Sequence, residues 1–175
     1  MRLIKALIVG ATGLFIFITL MSLLIPANPR LSRTVVINAP GKEKIMNQLV
    51  NLANWKNWQP LFTQGNATQV LGKIAEGKEA YSDIAYNGKT VQVKILEADS
   101  SSVLFTLKAS GENDITNKIV VTSLQPSQQV RVDWIATTHL HWYPWEKFYA
   151  IFIDKLTGPG YEASLNGLKK FVESN

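Results

Sequence analysis

YPWEKFYAIFIDKLTGPGYEASLNGLKKFVESN, residues 143–175, repeats its apolar side chains at helical spacing. Trp145, Phe148, Phe152 and Leu156 form one stripe, and after Gly158-Pro159-Gly160 the pattern resumes as Tyr161, Leu165, Leu168 and Val172. A stripe of this width predicts a helix with one face buried and polar residues around the back. Glu146, Lys147, Asp154 and Lys155 supply that wet face. Gly158-Pro159-Gly160 is expected to kink or interrupt the helix, because proline lacks the amide hydrogen and its ring crowds the preceding turn.

Upstream, from Gly65 to about His141, the period changes from helical to two. Val91, Val93 and Ile95 alternate with Gln92 and Lys94. Val103, Phe105 and Leu107 alternate with Thr106 and Lys108, Ile119 and Val121 mark a third run, and Val130, Val132, Trp134 and Ala136 a fourth. Asn87-Gly88, Asp99-Ser100-Ser101, Gly111-Glu112-Asn113-Asp114 and Pro126-Ser127 separate them with turn chemistry. One apolar and one polar face predict an antiparallel meander of about six strands, covered on one side. Ahead of it, Ser32 to Asn38 is β-branched and reads as another strand. It ends at Ala39-Pro40-Gly41, with Pro40 suited to the first position of the next helix. Ile45, Met46, Leu49 and Leu52 make a short amphipathic helix, and Pro60 forbids a long continuation. The order is strand, short helices, meander, long helix. A helix laid across the concave face of a curved meander leaves a cavity between them.

Residues 6–27 form an apolar run, and no charged side chain lies between Lys5 and Arg30. As a helix, these 22 residues would measure ~33 Å, enough to cross a hydrocarbon core of ~30 Å. The run exceeds the ~7–15 apolar residues usual in a cleaved signal, and Leu24 to Pro29 lacks a small-x-small cleavage site. We therefore expect residues 1–31 to be a transmembrane anchor with a short linker, and residues 32–175 to be one ligand-binding domain. The chain is expected in the cell membrane as a single-pass protein. Arg2 and Lys5 before the span nearly balance Arg30 and Arg33 after it. The short leading tail then favours a signal anchor with the domain outside the cytoplasm.

Net charge is +5, with the lysines spread along the chain. There is no basic run interleaved with aromatics of the kind nucleic-acid binding uses. The absence of cysteine rules out disulfides, thiolate catalysis and zinc ribbons. His139 and His141 could share a metal by strand parity, but with no third histidine no metal site is assigned. No cofactor motif and no catalytic constellation is visible: phosphate loop, dinucleotide fingerprint and nucleophile elbow are all missing.

The soluble part resembles the SRPBCC superfamily, the helix-grip group that includes START lipid-transfer domains, polyketide cyclases and the birch-pollen allergen. The resemblance rests on Val35-Val36-Ile37-Asn38-Ala39-Pro40, on residues 52–58 with Trp55 and Trp58, and on residues 148–170 with Gly158-Pro159-Gly160. It looks most like the bacterial polyketide cyclase/dehydrase-like members, several of which carry a similar N-terminal anchor. It implies an α+β helix-grip fold with a hydrophobic ligand cavity, and it carries over no universal catalytic residue.

The expected cavity lining is Trp55, Trp58, Tyr81, Trp134, Trp142, Trp145, Phe148 and Phe152, with Tyr81, Tyr86 or Asp83 orienting a ligand. Aromatic rings of this kind serve cores as readily as cavities, and tryptophans at the domain's base also suit a membrane interface. The expected ligand is a hydrophobic or amphipathic small molecule, lipid-like in character. The alternatives are a cyclase- or dehydratase-like enzyme, and a tethered envelope interaction domain without ligand.

Overall fold

The computed structural model describes residues 2–39, 41–126 and 128–175, so Pro40 and Ser127, expected in a helix start and a turn, lie outside the described residues. Period-two patterning becomes seven strands: β1 (Arg30–Asn38), β2 (Thr68–Leu71), β3 (Tyr81–Tyr86), β4 (Lys89–Ala98), β5 (Ser102–Ala109), β6 (Ile115–Leu124) and β7 (Gln129–Thr138). They make one antiparallel sheet in the order β1-β7-β6-β5-β4-β3-β2. Sequential hairpins account for β2 to β7, and β1 returns to pair with β7, Val35 opposite Val132. At the β3–β4 turn Asn87 and Gly88 both take positive φ, as a tight two-residue hairpin requires. A register shift between Ile95 and Glu97 marks a bulge, a device that bends a strand locally.

The inward residues are those that alternation predicts: Val93, Ile95, Val103, Phe105, Ile119, Val121, Val130, Val132 and Trp134 are all buried. Between β1 and β2 the chain forms α2 (Glu43–Val50), a 3-10 turn over Leu52–Asn57 and α3 (Pro60–Thr63). Ile45, Met46 and Leu49 bury one face of α2. The Asn51 side chain accepts a hydrogen bond from the Ala53 amide and caps the 3-10 turn.

The C-terminal stretch departs from expectation in one respect. It forms two helices, α4 (Pro144–Ala150) and α5 (Ile153–Ser174), and the break falls at Ile151–Phe152. There the amides of Ile151 and Phe152 bond back to Phe148 and Tyr149, three residues earlier. Gly158-Pro159-Gly160 lies inside α5 and does not interrupt it. Pro159 and Lys155 both face solvent, so the Lys155 carbonyl that loses its helical partner can be hydrated. Gly158 faces inward, where the Arg33 guanidinium and Leu31 fill the space a β-carbon would take. Arg33 reaches along the helix to Asp154 at 2.9 Å and to Glu162 at 2.6 Å, on either side of Gly158. Beyond it Tyr161 is half-buried, and Leu165, Leu168 and Val172 are buried against the sheet, the stripe the sequence predicts.

At the other end, α1 (Arg2–Ser22) is apolar on all sides, with mean hydropathy 2.2 over its best window. By length and composition it is able to cross a membrane, a property shared by signal sequences. Its exit is tied to the domain. The Lys147 amine donates to the Ile25 carbonyl at 3.0 Å, and the Leu140 amide donates to the Ala27 carbonyl at 3.0 Å. Lys147, expected on the wet face, is therefore buried, because it satisfies a carbonyl just past the α1 terminus.

Candidate functional site

An aromatic row crosses the space between helix and sheet. Trp58 meets Trp55 at 5.5 Å, Trp55 meets the edge of Phe105 at 5.2 Å, Phe105 meets Trp134 at 5.9 Å, and Trp134 meets Tyr161 of α5 edge-on at 5.2 Å. The first part of this row is solid core. Trp55 and Trp58 are almost fully buried and donate their ring amides to the Leu49 and Gln48 carbonyls. Removing such a ring costs about 3–5 kcal/mol, the magnitude of a core role.

Beyond Trp134 the packing opens. A cavity of about 460 Å³ lies between α5, the α3 segment and the sheet. Trp134 and Leu107 form its floor on β7 and β5, Thr157, Gly160, Tyr161 and Ser164 its α5 wall, and Gln59 to Leu61 with Gln64 and Gly65 its rim. Tyr86, at the end of β3, stands beside that rim. Among the described residues no lining side chain is charged. Polar groups sit at defined points. The Ser164 hydroxyl donates to Gln59 Oε1 at 2.8 Å, both residues being buried, and Trp134 Nε1 donates to Asn117 Oδ1 at 2.9 Å beneath the floor. Burial pushes the Tyr161 phenol up to about 12, so it is neutral at physiological pH.

Tyr161 and Thr157 also line a second cavity of about 350 Å³ on their other side. Pro29, Leu31, Ala136, Thr138, Tyr149 and Ile153 contribute to its walls. Asn113 also lines it, and the Asn113 Oδ1 is buried without a hydrogen-bond partner among the described residues. Tyr161 thus stands as a partition between two hollows under one helix.

Of the lining expected from sequence, Trp134 is in the first cavity. Trp55 and Trp58 lie behind it in the core. Tyr81 faces the opposite side of the sheet from the buried Ser82 and Ile84, and its ring packs over Gly72. Asp83 shares that outer face and accepts from Gln92, so Tyr86 alone of the three proposed orienting groups reaches the cavity. Trp142, Trp145 and Phe152 are exposed, and Phe148 is half-buried outside the cavity. The break at Ile151–Phe152 explains this: it separates the Trp145 stripe from the helix that covers the sheet.

The two histidines take different partners. His139 sits between Thr116 and Asn28, at 2.9 and 3.1 Å, while the His141 amide and ring both meet Glu146. Among the described residues no group of three His, Cys, Asp or Glu side chains could hold a metal ion. Gln59, Gln64 and Thr157 carry no sequence signal for this site, since they come from a short loop and from a helix position between the apolar stripes.

No family model and no curated protein matches the chain. Solved structures do. Norcoclaurine synthase of Thalictrum flavum, in complex with dopamine and hydroxybenzaldehyde, aligns with TM-score 0.66 at 12% identity, covering 88% of this chain and 91% of that one. A Nitrosospira multiformis protein aligns with TM-score 0.61 at 14% identity, covering 81% and 94%. A Chromobacterium violaceum protein aligns with TM-score 0.56 at 17% identity, covering 85% and 99%. At these identities the likeness is one of fold. The chain is an α+β helix-grip fold, a curved seven-stranded antiparallel sheet closed by its long C-terminal helix.

Proposed function

We propose that this chain is a membrane-anchored helix-grip domain that takes a hydrophobic or amphipathic small molecule, lipid-like in character, into the cavity beside Trp134 and Tyr161. The observation that carries the reading is that cavity of about 460 Å³, walled by uncharged side chains under the gripping helix. Its size suits a small organic ligand, for which pockets run ~300–1,000 Å³. Affinity would come from burial, about 2.5 kcal/mol for each 100 Å² of apolar ligand surface at ~25 cal/mol per Å². A charged group pushed into these walls would lose its hydration without a counter-ion, so the buried part of the ligand is neutral. Gln64 and Tyr86 at the rim and the Gln59–Ser164 pair on the wall offer hydrogen bonds that fix its direction. The dopamine and hydroxybenzaldehyde held by norcoclaurine synthase support an organic ligand by analogy of fold. α1 is the anchor in this reading, keeping the cavity next to a bilayer where such ligands concentrate.

The test is native mass spectrometry of the detergent-extracted full chain. We expect a retained small molecule in the wild type and its loss in Gly160→Trp. A β-carbon at position 160 meets no atom within 4 Å, and Gly160 lines the cavity, so the backbone there accepts a side chain that can grow into the space a ligand would use. A wild type that is always empty and ignores added fluorescent fatty probes, or a Gly160→Trp variant that retains the same molecule, overturns the proposal.

A further inference from the structure

Six large, exposed apolar side chains of the folded domain gather around α4. Trp142 is 72% exposed, Trp145 64%, Ile151 60%, Leu156 58%, Phe152 56% and Tyr149 49%. Trp145, Tyr149, Phe152 and Leu156 follow one another at intervals of four, three and four residues, one continuous strip across the break between the helices. The strip is ordered by its own contacts. The Tyr143 and Trp145 rings stack in parallel at 4.9 Å, and Trp142 leans on Tyr143 at 5.1 Å. Leaving this much contiguous aromatic surface in water is unusual for a soluble face.

The position of α1 identifies what covers it. Lys147, on the buried side of α4, holds the Ile25 carbonyl, and Leu140 holds Ala27, so the exit of the apolar helix is fastened to the element that carries the strip. From Leu3 to Met21 the large side chains of α1 are exposed as well. The two apolar surfaces therefore belong to one body and meet where a spanning helix leaves the hydrocarbon. Trp and Tyr, with an apolar ring and a polar edge, are the side chains favoured at that depth.

We propose that α4 and the start of α5 form a bilayer-docking face, whose partner is the interfacial lipid layer of the membrane that α1 crosses. The proposal rests on reading α1 as a membrane span. Its consequence is geometric: Tyr149 and Ile153 also wall the second cavity, so docking turns that hollow toward lipid.

The tryptophans make the test direct. There are five: Trp55, Trp58 and Trp134 are buried, Trp142 and Trp145 are exposed, and α1 contains none. The full chain is reconstituted into phosphatidylcholine–phosphatidylglycerol vesicles, and flotation is scored first. Emission is then read with lipids brominated near the glycerol end of the acyl chain and, separately, with aqueous iodide. We expect a component quenched by brominated lipid and spared by iodide, and we expect Trp142→Phe/Trp145→Phe to lose that component while still floating. Flotation with iodide-quenched tryptophans overturns the docking face and leaves the anchor intact. Shielding from both quenchers also overturns it and assigns the face to protein, a second copy included. Failure to float overturns anchor and docking together, while the cavity stands or falls separately by its retained ligand.

Discussion

The carbonyl oxygen of Trp58 occupies the space into which a side chain at position 167 would project. This contact sets how closely α5 approaches the residue that ends the 3-10 turn. The obstacle is backbone, and it cannot rotate aside. Gly167→Ala should destabilise by about 1–3 kcal/mol, as overpacking does, despite gaining up to ~1 kcal/mol in helix propensity. At close range Gly158→Ala meets only the far end of the Arg33 side chain, whose torsions can shift it as backbone cannot, at the cost of part of two exposed ion pairs worth little. Thermal melts of the full chain in detergent should show a lower Tm for Gly167→Ala and an unchanged or higher Tm for Gly158→Ala. The reverse order would contradict the packing described.

Beneath the cavity floor, Asn117 is fully buried and accepts the Trp134 ring amide at 2.9 Å. Asn117→Ala leaves that donor buried without a partner, a loss of about 1–3 kcal/mol. Trp134 would also lose the bond that fixes its ring against the cavity, so ligand retention should weaken in the same variant. Urea unfolding and native mass spectrometry check the two effects separately.

Much of this was legible in sequence for a definite reason. Tyr161, Leu165, Leu168 and Val172 carry a helical period, and Trp134 shares strand parity with Val130 and Val132, so each announced the side it buries. An apolar stripe need not face protein, however. Trp145 on α4, Phe152 at the break and Leu156 in the first turn of α5 keep the same spacing but are exposed, since period reports a face and not what lies against it. In sequence Trp55 and Trp58 read equally as cavity lining or core, because both use the same rings. The rim at Gln59, Gln64 and Gly65 came from a loop, which has no period to read.

Asp99 gives an acid-side prediction. Hydrogen bonds from the Ser101 amide first, then from the Ser102 hydroxyl and amide, pull its carboxyl down to about 2 from an ordinary 3.8. A depressed carboxylate contributes stability that is complete above its unfolded pKa and is lost as pH falls toward the folded value. Urea midpoints for wild type should therefore exceed those for Asp99→Asn at neutral pH, and the gap should narrow from about pH 4 and vanish as pH falls through about 2. A gap as large at pH 2 as at neutral pH would mean the β4–β5 turn does not depend on the charge.

Tyr161 gives the alkaline counterpart, and it reports on the site itself. Burial raises its phenol from 10.0 to about 12. The unfolded chain ionises first, so the folded state is at no disadvantage below pH 10 and loses stability as pH climbs from 10 toward 12. Two pH units at 1.36 kcal/mol each amount to roughly 2–3 kcal/mol at most. Tyr161→Phe should remove this component, so the stability of wild type relative to the variant should fall across that window and stay flat below it. An apolar ligand seated against the ring deepens its burial and should push the phenolate absorbance transition higher still. Alkaline titration with and without a bound fatty probe reads that shift, and a transition left in place by a ligand shown to bind would put the ligand away from Tyr161.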